Sequence, residues 1–154
     1  MKKLIKATGD AKDSTEAHVF VRANAACMSD IVALIPGGGT QISQALEKVG
    51  YVVQFDHRYN PARRITKTLA EKQIVKYQLM AQVFFWRRLL VNFPNVHVIS
   101  PFQDFGGILC NVNGDDFVKA LCTEFDETYV LTRADRKEAK EELFKGFPVH
   151  VIGI

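Results

Sequence analysis

The apolar positions of this chain fall into short continuous runs and helix-period stripes that take turns along its length. Leu4 and Ile5 open a strand that stops at Thr8-Gly9-Asp10, and a polar loop leads into a helical stripe of Val19, Phe20, Ala23 and Cys27. Ile31-Val32-Ala33-Leu34-Ile35 has no polar interruption, the pattern of a strand covered on both faces and central in its sheet. Pro36 and Gly37-Gly38-Gly39 end it. Thr40 is placed to cap the next helix, whose face is Ile42, Ala45, Leu46 and Val49 and whose stop is Gly50.

An extended piece over 51–55 and a basic turn around His57, Arg58, Asn60 and Pro61 precede the longest helical pattern, 64–92. Its second half (Leu79, Met80, Val83, Phe84, Phe85, Trp86, Leu89, Leu90, Val91) is apolar on nearly every side. Such a helix needs two apolar partners, so the sheet on one side and a second subunit on the other predict a homodimer through 79–93. Strand 96–100 follows, and Phe105-Gly106-Gly107 turns into a short strand ending at Val112. A helical face of Phe117, Val118, Leu121, Cys122 and Phe125 comes next. Strand 129–132, a charged helix over 134–145 closed by Gly146, and strand 149–154 complete the chain. Strands alternating with helices predict a three-layer α/β/α sandwich with a mostly parallel sheet, in one domain spanning 1–154.

Composition narrows the function classes more than the fold. The 154 residues suffice for one core. Hydrophobic residues at 47% and charged residues at 24% exclude a disordered chain. A net charge of +3 from 20 basic and 17 acidic residues points to no nucleic-acid partner. Thr8-Gly9-Asp10 interrupts the N-terminal segment before an apolar stretch of export-signal length develops, and Arg87 and Arg88 break the most apolar run, so neither export nor a membrane span is expected. Cys27, Cys110 and Cys122 form no C-x-x-C pair and read as reduced core residues of a cytoplasmic protein.

Candidate chemistry gathers at strand ends. Gly37-Gly38-Gly39 lies between a buried strand and a helix N-terminus, where free N–H groups and the helix dipole favour a phosphate or carboxylate; a tight turn that needs glycine for geometry alone is the other reading. The spacing is neither G-x-G-x-x-G nor G-x-x-x-x-G-K-[ST]. Arg133, Arg136, Lys137 and Lys140 follow a strand end and read either as a reduced phosphate site or as a solvated face. His18, His57, His97 and His150 have no metal-ligand spacing; His97 and His150 read as structural.

The run IVALIPGGGTQISQALEKVG resembles the strand, triple-glycine loop and helix of the amino-acid kinase superfamily, nearest to acetylglutamate kinases. Lys6-Ala7-Thr8-Gly9-Asp10 is similar to that family's K-x-G-G-S, keeping the lysine and one glycine. Arg64-Ile65-Thr66 resembles its Arg-x-Thr, and Asn111-Val112-Asn113-Gly114-Asp115 its N-V-N-A-D, with Asp116 where the family has a neutral residue. The resemblance implies that Lys6 neutralises the transferring phosphoryl group, Asp115 orients catalytic lysines, and Gly37, Gly38 and Gly39 cradle the phosphoryl group. It further implies that Arg64, Asn111 and Asn113 contact the substrate, with Arg64 gripping a carboxylate.

The same resemblance implies phosphoryl transfer from ATP, with Mg2+, to an acyl-amino-acid carboxylate. It also exposes a shortfall. Only 22 residues follow Thr132, Arg133 stands where the family has Asp, and the adenine, ribose and second-lysine sites have no counterpart in the sequence. Two expectations result: a small-anion phosphotransferase, or a non-catalytic binding or regulatory subunit without the ATP site. Either leaves room for a partner chain that supplies the absent nucleotide lobe.

Overall fold

Five parallel strands form the central sheet in the order β5-β2-β1-β8-β9, in a computed structural model that describes residues 1–59 and 62–154. Asn60 and Pro61 of the expected basic turn lie outside the described residues. The strands are β1 (Lys2–Ala7), β2 (Ile31–Pro36), β5 (Val96–Val98), β8 (Glu127–Thr132) and β9 (His150–Gly153). Two antiparallel hairpins stand apart from this sheet: β3 (Gln54–Asp56) with β4 (Arg63–Ile65), and β6 (Phe102–Phe105) with β7 (Ile108–Asn111). The predicted sandwich is present.

Helices cover both faces of the sheet. Helices α1 (Thr15–Ala25) and α3 (Leu69–Leu89) bring Ala17, Val21 and Trp86 onto Ile5, Val32, Leu34 and Leu131. On the opposite face Leu4, Ala33 and Ile35 meet Phe117 and Leu121 of α4 (Gly114–Leu121), and Val130 meets Val118 and Phe144. Helix α2 (Gly39–Lys48) packs on α3 through Ile42, Leu46, Val75 and Leu79. The last helix, α5 (Lys137–Leu143), keeps none of its residues fully buried.

Several expectations are corrected. Helix α1 buries Ala17, Val21 and Ala25, whereas Val19 and Ala23 are exposed and Cys27 lies beyond its end on the surface. The helical period was legible but its phase was not, because small alanines rather than the bulkier Val19 face the sheet. Of the cysteines only Cys122 is buried; Cys110 is half-buried. Gly38, not Thr40, is the N-cap of α2, and Val49 is exposed. Arg64 lies in β4 rather than in a helix: α3 starts at Leu69 behind a capping box of Thr68 and Glu71, which stops the helix from running back to residue 64. His97 and His150 lie exposed on the two edge strands, His150 with its ring beside Tyr129.

Among the described residues no helix is long and apolar enough to cross a membrane.

Candidate functional site

The glycine loop meets the first strand because β1 and β2 run in register: Lys6 pairs with Ile35 and Ala7 with Pro36, and the Gly37 N–H donates to the Ala7 carbonyl at 2.6 Å. That closeness is why glycine is needed. A Cβ on Gly37 would stand 3.2 Å from the Ala7 carbonyl oxygen, and one on Gly38 3.2 Å from Ile42 Cδ1. Around Gly39 nothing lies within 4 Å of such an atom. No side chain caps the first turn of α2, which leaves its N–H groups to solvent or to an anion.

Lys6 emerges beside this loop on the face that α4 covers. Its Nζ donates to Asp115 Oδ1 at 2.7 Å, and both residues are buried. Asp115 is placed by its own helix start, where Asn113 Oδ1 caps α4 by accepting from the Asp115 N–H at 2.9 Å. Gly114 gives Lys6 passage: a Cβ there would stand 3.2 Å from Lys6 Cε. The second Asp115 oxygen accepts from Lys140 Nζ at 2.5 Å. Burial by itself would raise the Asp115 carboxyl, but the ammonium groups of Lys6 and Lys140 override it and hold the group at about 2. Burial, then the neighbouring Lys6 charge, pushes Lys140 below its ordinary value against the pull of Asp115.

The sequence leaves Lys140 open between a reduced phosphate site and a solvated face, and the structure turns it inward onto Asp115. One signal was available: Leu143 and Phe144 lie three and four positions further on, and Phe144 is buried, so Lys140 shares the one inward stripe of a charged helix. Arg133, Arg136 and Lys137, by contrast, are exposed.

Arg64 reaches the glycine loop from β4. Its Nη2 donates to the Gly39 carbonyl at 2.8 Å and to Ser43 Oγ at 2.9 Å, and its guanidinium lies over the Phe55 ring. Its Nε is buried without a partner among the described residues. Arg63 turns the other way, donating to Asp116 Oδ2 at 3.0 Å. Asp116 therefore ties the β3–β4 hairpin to the first turn of α4. Asn111 ends β7 exposed, whereas the Asn113 side-chain oxygen is engaged as the α4 cap.

The eight residues to which the resemblance assigned roles all line one cleft of about 790 Å3. Six cationic side chains (Lys6, Arg63, Arg64, Lys72, Arg136, Lys140) face three carboxylates there (Asp10, Asp115, Asp116), which favours an anionic guest. The site lies at the carboxyl ends of parallel strands, where open α/β sheets take ligands. The bare glycines and excess cations fit the phosphates of a nucleotide. No group of three His, Cys, Asp or Glu side chains suited to a metal occurs among the described residues, and Asp115 is taken by two lysines. A Mg2+ would therefore arrive on the phosphates, with water filling most of its shell. Compared with models of known families and with curated proteins, the chain matches none.

Proposed function

We propose that this protein is an amino-acid-kinase-like binder of small phosphorylated or carboxylate ligands, working as a phosphotransferase that moves a phosphoryl group from ATP to the carboxylate of an acyl-amino acid. The observation that carries this reading is the pair of lysines, Lys6 and Lys140, converging on Asp115 beside a bare glycine loop. Each ammonium spends one of its three donors on Asp115, so each keeps donors for phosphate oxygens. Phosphoryl transfer asks chiefly for fixed positive charge around a migrating anion and for an in-line approach. Lys6 and Lys140 supply the charge, the Gly37–Gly39 loop holds the anion, and Arg64 and Asn111 orient the acceptor carboxylate. An acceptor oxygen bonds to the γ-phosphorus as the bond to the bridging oxygen breaks, and ADP leaves with that electron pair.

The test is ATP turnover with N-acetylglutamate and related acids as acceptors. Turnover that Lys6→Ala and Lys140→Ala each abolish is the expected result; turnover unchanged in both discards the lysine pair. A second reading, a non-catalytic binding or regulatory subunit, draws on Arg133, which stands where the amino-acid kinase pattern has Asp. Thermal stabilisation by acids with none by ATP or ADP would select it.

The same proposal includes a cytoplasmic homodimer. Tyr77 and Phe84, seven residues apart on α3, are 69% and 60% exposed, and Val91, just past the helix end, is 74% exposed, which leaves an apolar surface along this helix. Sedimentation is expected to give a dimer that Phe84→Glu converts to monomer; a monomeric wild type excludes it.

A further inference from the structure

Two buried threonine hydroxyls in the cleft have no hydrogen-bond partner among the described residues: Thr8 Oγ1 and Thr132 Oγ1. Thr132 is fully buried. An orphaned buried hydroxyl is rare and destabilises the free fold, so it calls for a physical account. The two are neighbours. Thr8 directly follows β1 in extended conformation, and its N–H donates to the Leu131 carbonyl at 3.1 Å, which sets it alongside the end of β8.

Register fixes the side of the sheet. Lys6 pairs with Val130 and Ala7 with Leu131, so Thr8 continues the ladder at the level of Thr132. Side chains alternate along a strand, which puts Thr8 on the face of Lys6 and Thr132 on the face of Val130. That face carries α4, because Val130 packs on Val118, and it is where Lys6 meets Asp115. Two unused hydroxyls and two ammonium groups thus share one end of one sheet face. Ala7 and Leu131, on the opposite face, are buried in the α1–α3 core.

We propose that the Thr8 and Thr132 hydroxyls form an oxyanion subsite, donating to a phosphoryl group that Lys6 and Lys140 attract with the one net positive charge they keep after pairing with Asp115. This rests on the reading of the cleft as a phosphoryl site and adds to it a second anchor, apart from the glycine loop. The ligand class is a tetrahedral dianion: the terminal oxygens of a phosphoryl group spread acceptor sites in three dimensions for two hydroxyls and two ammonium groups, whereas those of a carboxylate lie in one plane.

The test compares Thr8→Val, Thr132→Val and Thr132→Ser with the unaltered chain. Calorimetric titration with inorganic phosphate and, separately, with ATP distinguishes free phosphate from the end of a nucleotide, and unfolding midpoints are read without ligand. Each valine variant is expected to bind about tenfold more weakly. Its ligand-free midpoint should rise, by about 2–4 °C, because an unsatisfied hydroxyl has gone. Thr132→Ser should restore binding. Affinity within twofold of the unaltered chain, a serine variant that stays weak, or a valine midpoint that falls overturns the subsite. Absence of phosphate and ATP binding by the unaltered chain overturns the phosphoryl reading itself.

Discussion

Lys140 and Lys6 grip opposite oxygens of one carboxylate, Asp115, from elements 134 positions apart in sequence. The Lys140 grip also docks α5, none of whose own residues is fully buried. Lys140→Met is expected to lower stability by about 1–3 kcal/mol and to increase hydrogen exchange in 137–143 selectively. Urea unfolding with residue-resolved exchange checks both; uniform exchange across the chain would show that the contact does not dock the helix.

The Asp115 carboxyl stands at about 2 against an ordinary 3.8, with burial opposing the shift and the two lysines producing it. The unfolded chain takes up this proton near its ordinary value, whereas the fold resists until about 2. The associated stability is therefore whole above about pH 4 and drains away as pH falls toward the folded value. It is on the order of 2 kcal/mol. Asp115→Asn should lose this part of the acid dependence while being less stable at neutral pH, because a buried and a half-buried ammonium group lose their partner. Parallel acid titrations of the two unfolding midpoints decide it.

The three glycines should not behave alike. Gly37→Ala sets a Cβ against backbone atoms of residues 7 to 9, and backbone cannot move aside cheaply. A loss of about 1–3 kcal/mol is expected. At Gly39, where the space is open and φ is not positive, alanine should be neutral or stabilising by up to about 1 kcal/mol. Its methyl group projects at the loop, so ligand affinity should fall even so. Equal stability losses at both positions would contradict the geometry.

Arg63 and Asp116 join the β3–β4 hairpin to α4 through an ion pair that solvent reaches on both sides. A double-mutant cycle should give a coupling below about 1 kcal/mol that disappears in high salt. A larger coupling, insensitive to salt, would mean the hairpin is anchored there more firmly than the exposure of the pair allows.

The parts of the fold that follow from repeating pattern were readable in advance. The uninterrupted 31–35 run became an interior strand, Gly50 and Gly146 end their helices with positive φ, and Gly106-Gly107 turns a hairpin. What failed depends on neighbours distant in sequence. The phase of α1 was set by small alanines fitting against the sheet, a matter of space rather than polarity. The start of α3 was fixed by the Thr68–Glu71 box, which the stronger apolar signal downstream concealed. In the site, each strand-end motif could be located singly. The meeting of Lys140 with Asp115 could not, because a lysine in a charged helix looks the same whether it faces water or a carboxylate.

The strand order has a consequence for synthesis. Of the five strands of this sheet β1 is made before the others yet becomes its middle, and its β8 neighbour is made more than a hundred residues later. Until residues 127–132 emerge, β1 offers the nascent chain one unpaired edge, a hazard for association with other chains. Closing that edge is a long-range pairing of the slow kind. The pairing that closes this edge also delivers Thr132 to the cleft, so the ligand site stays incomplete until residues 127–132 have been made and paired.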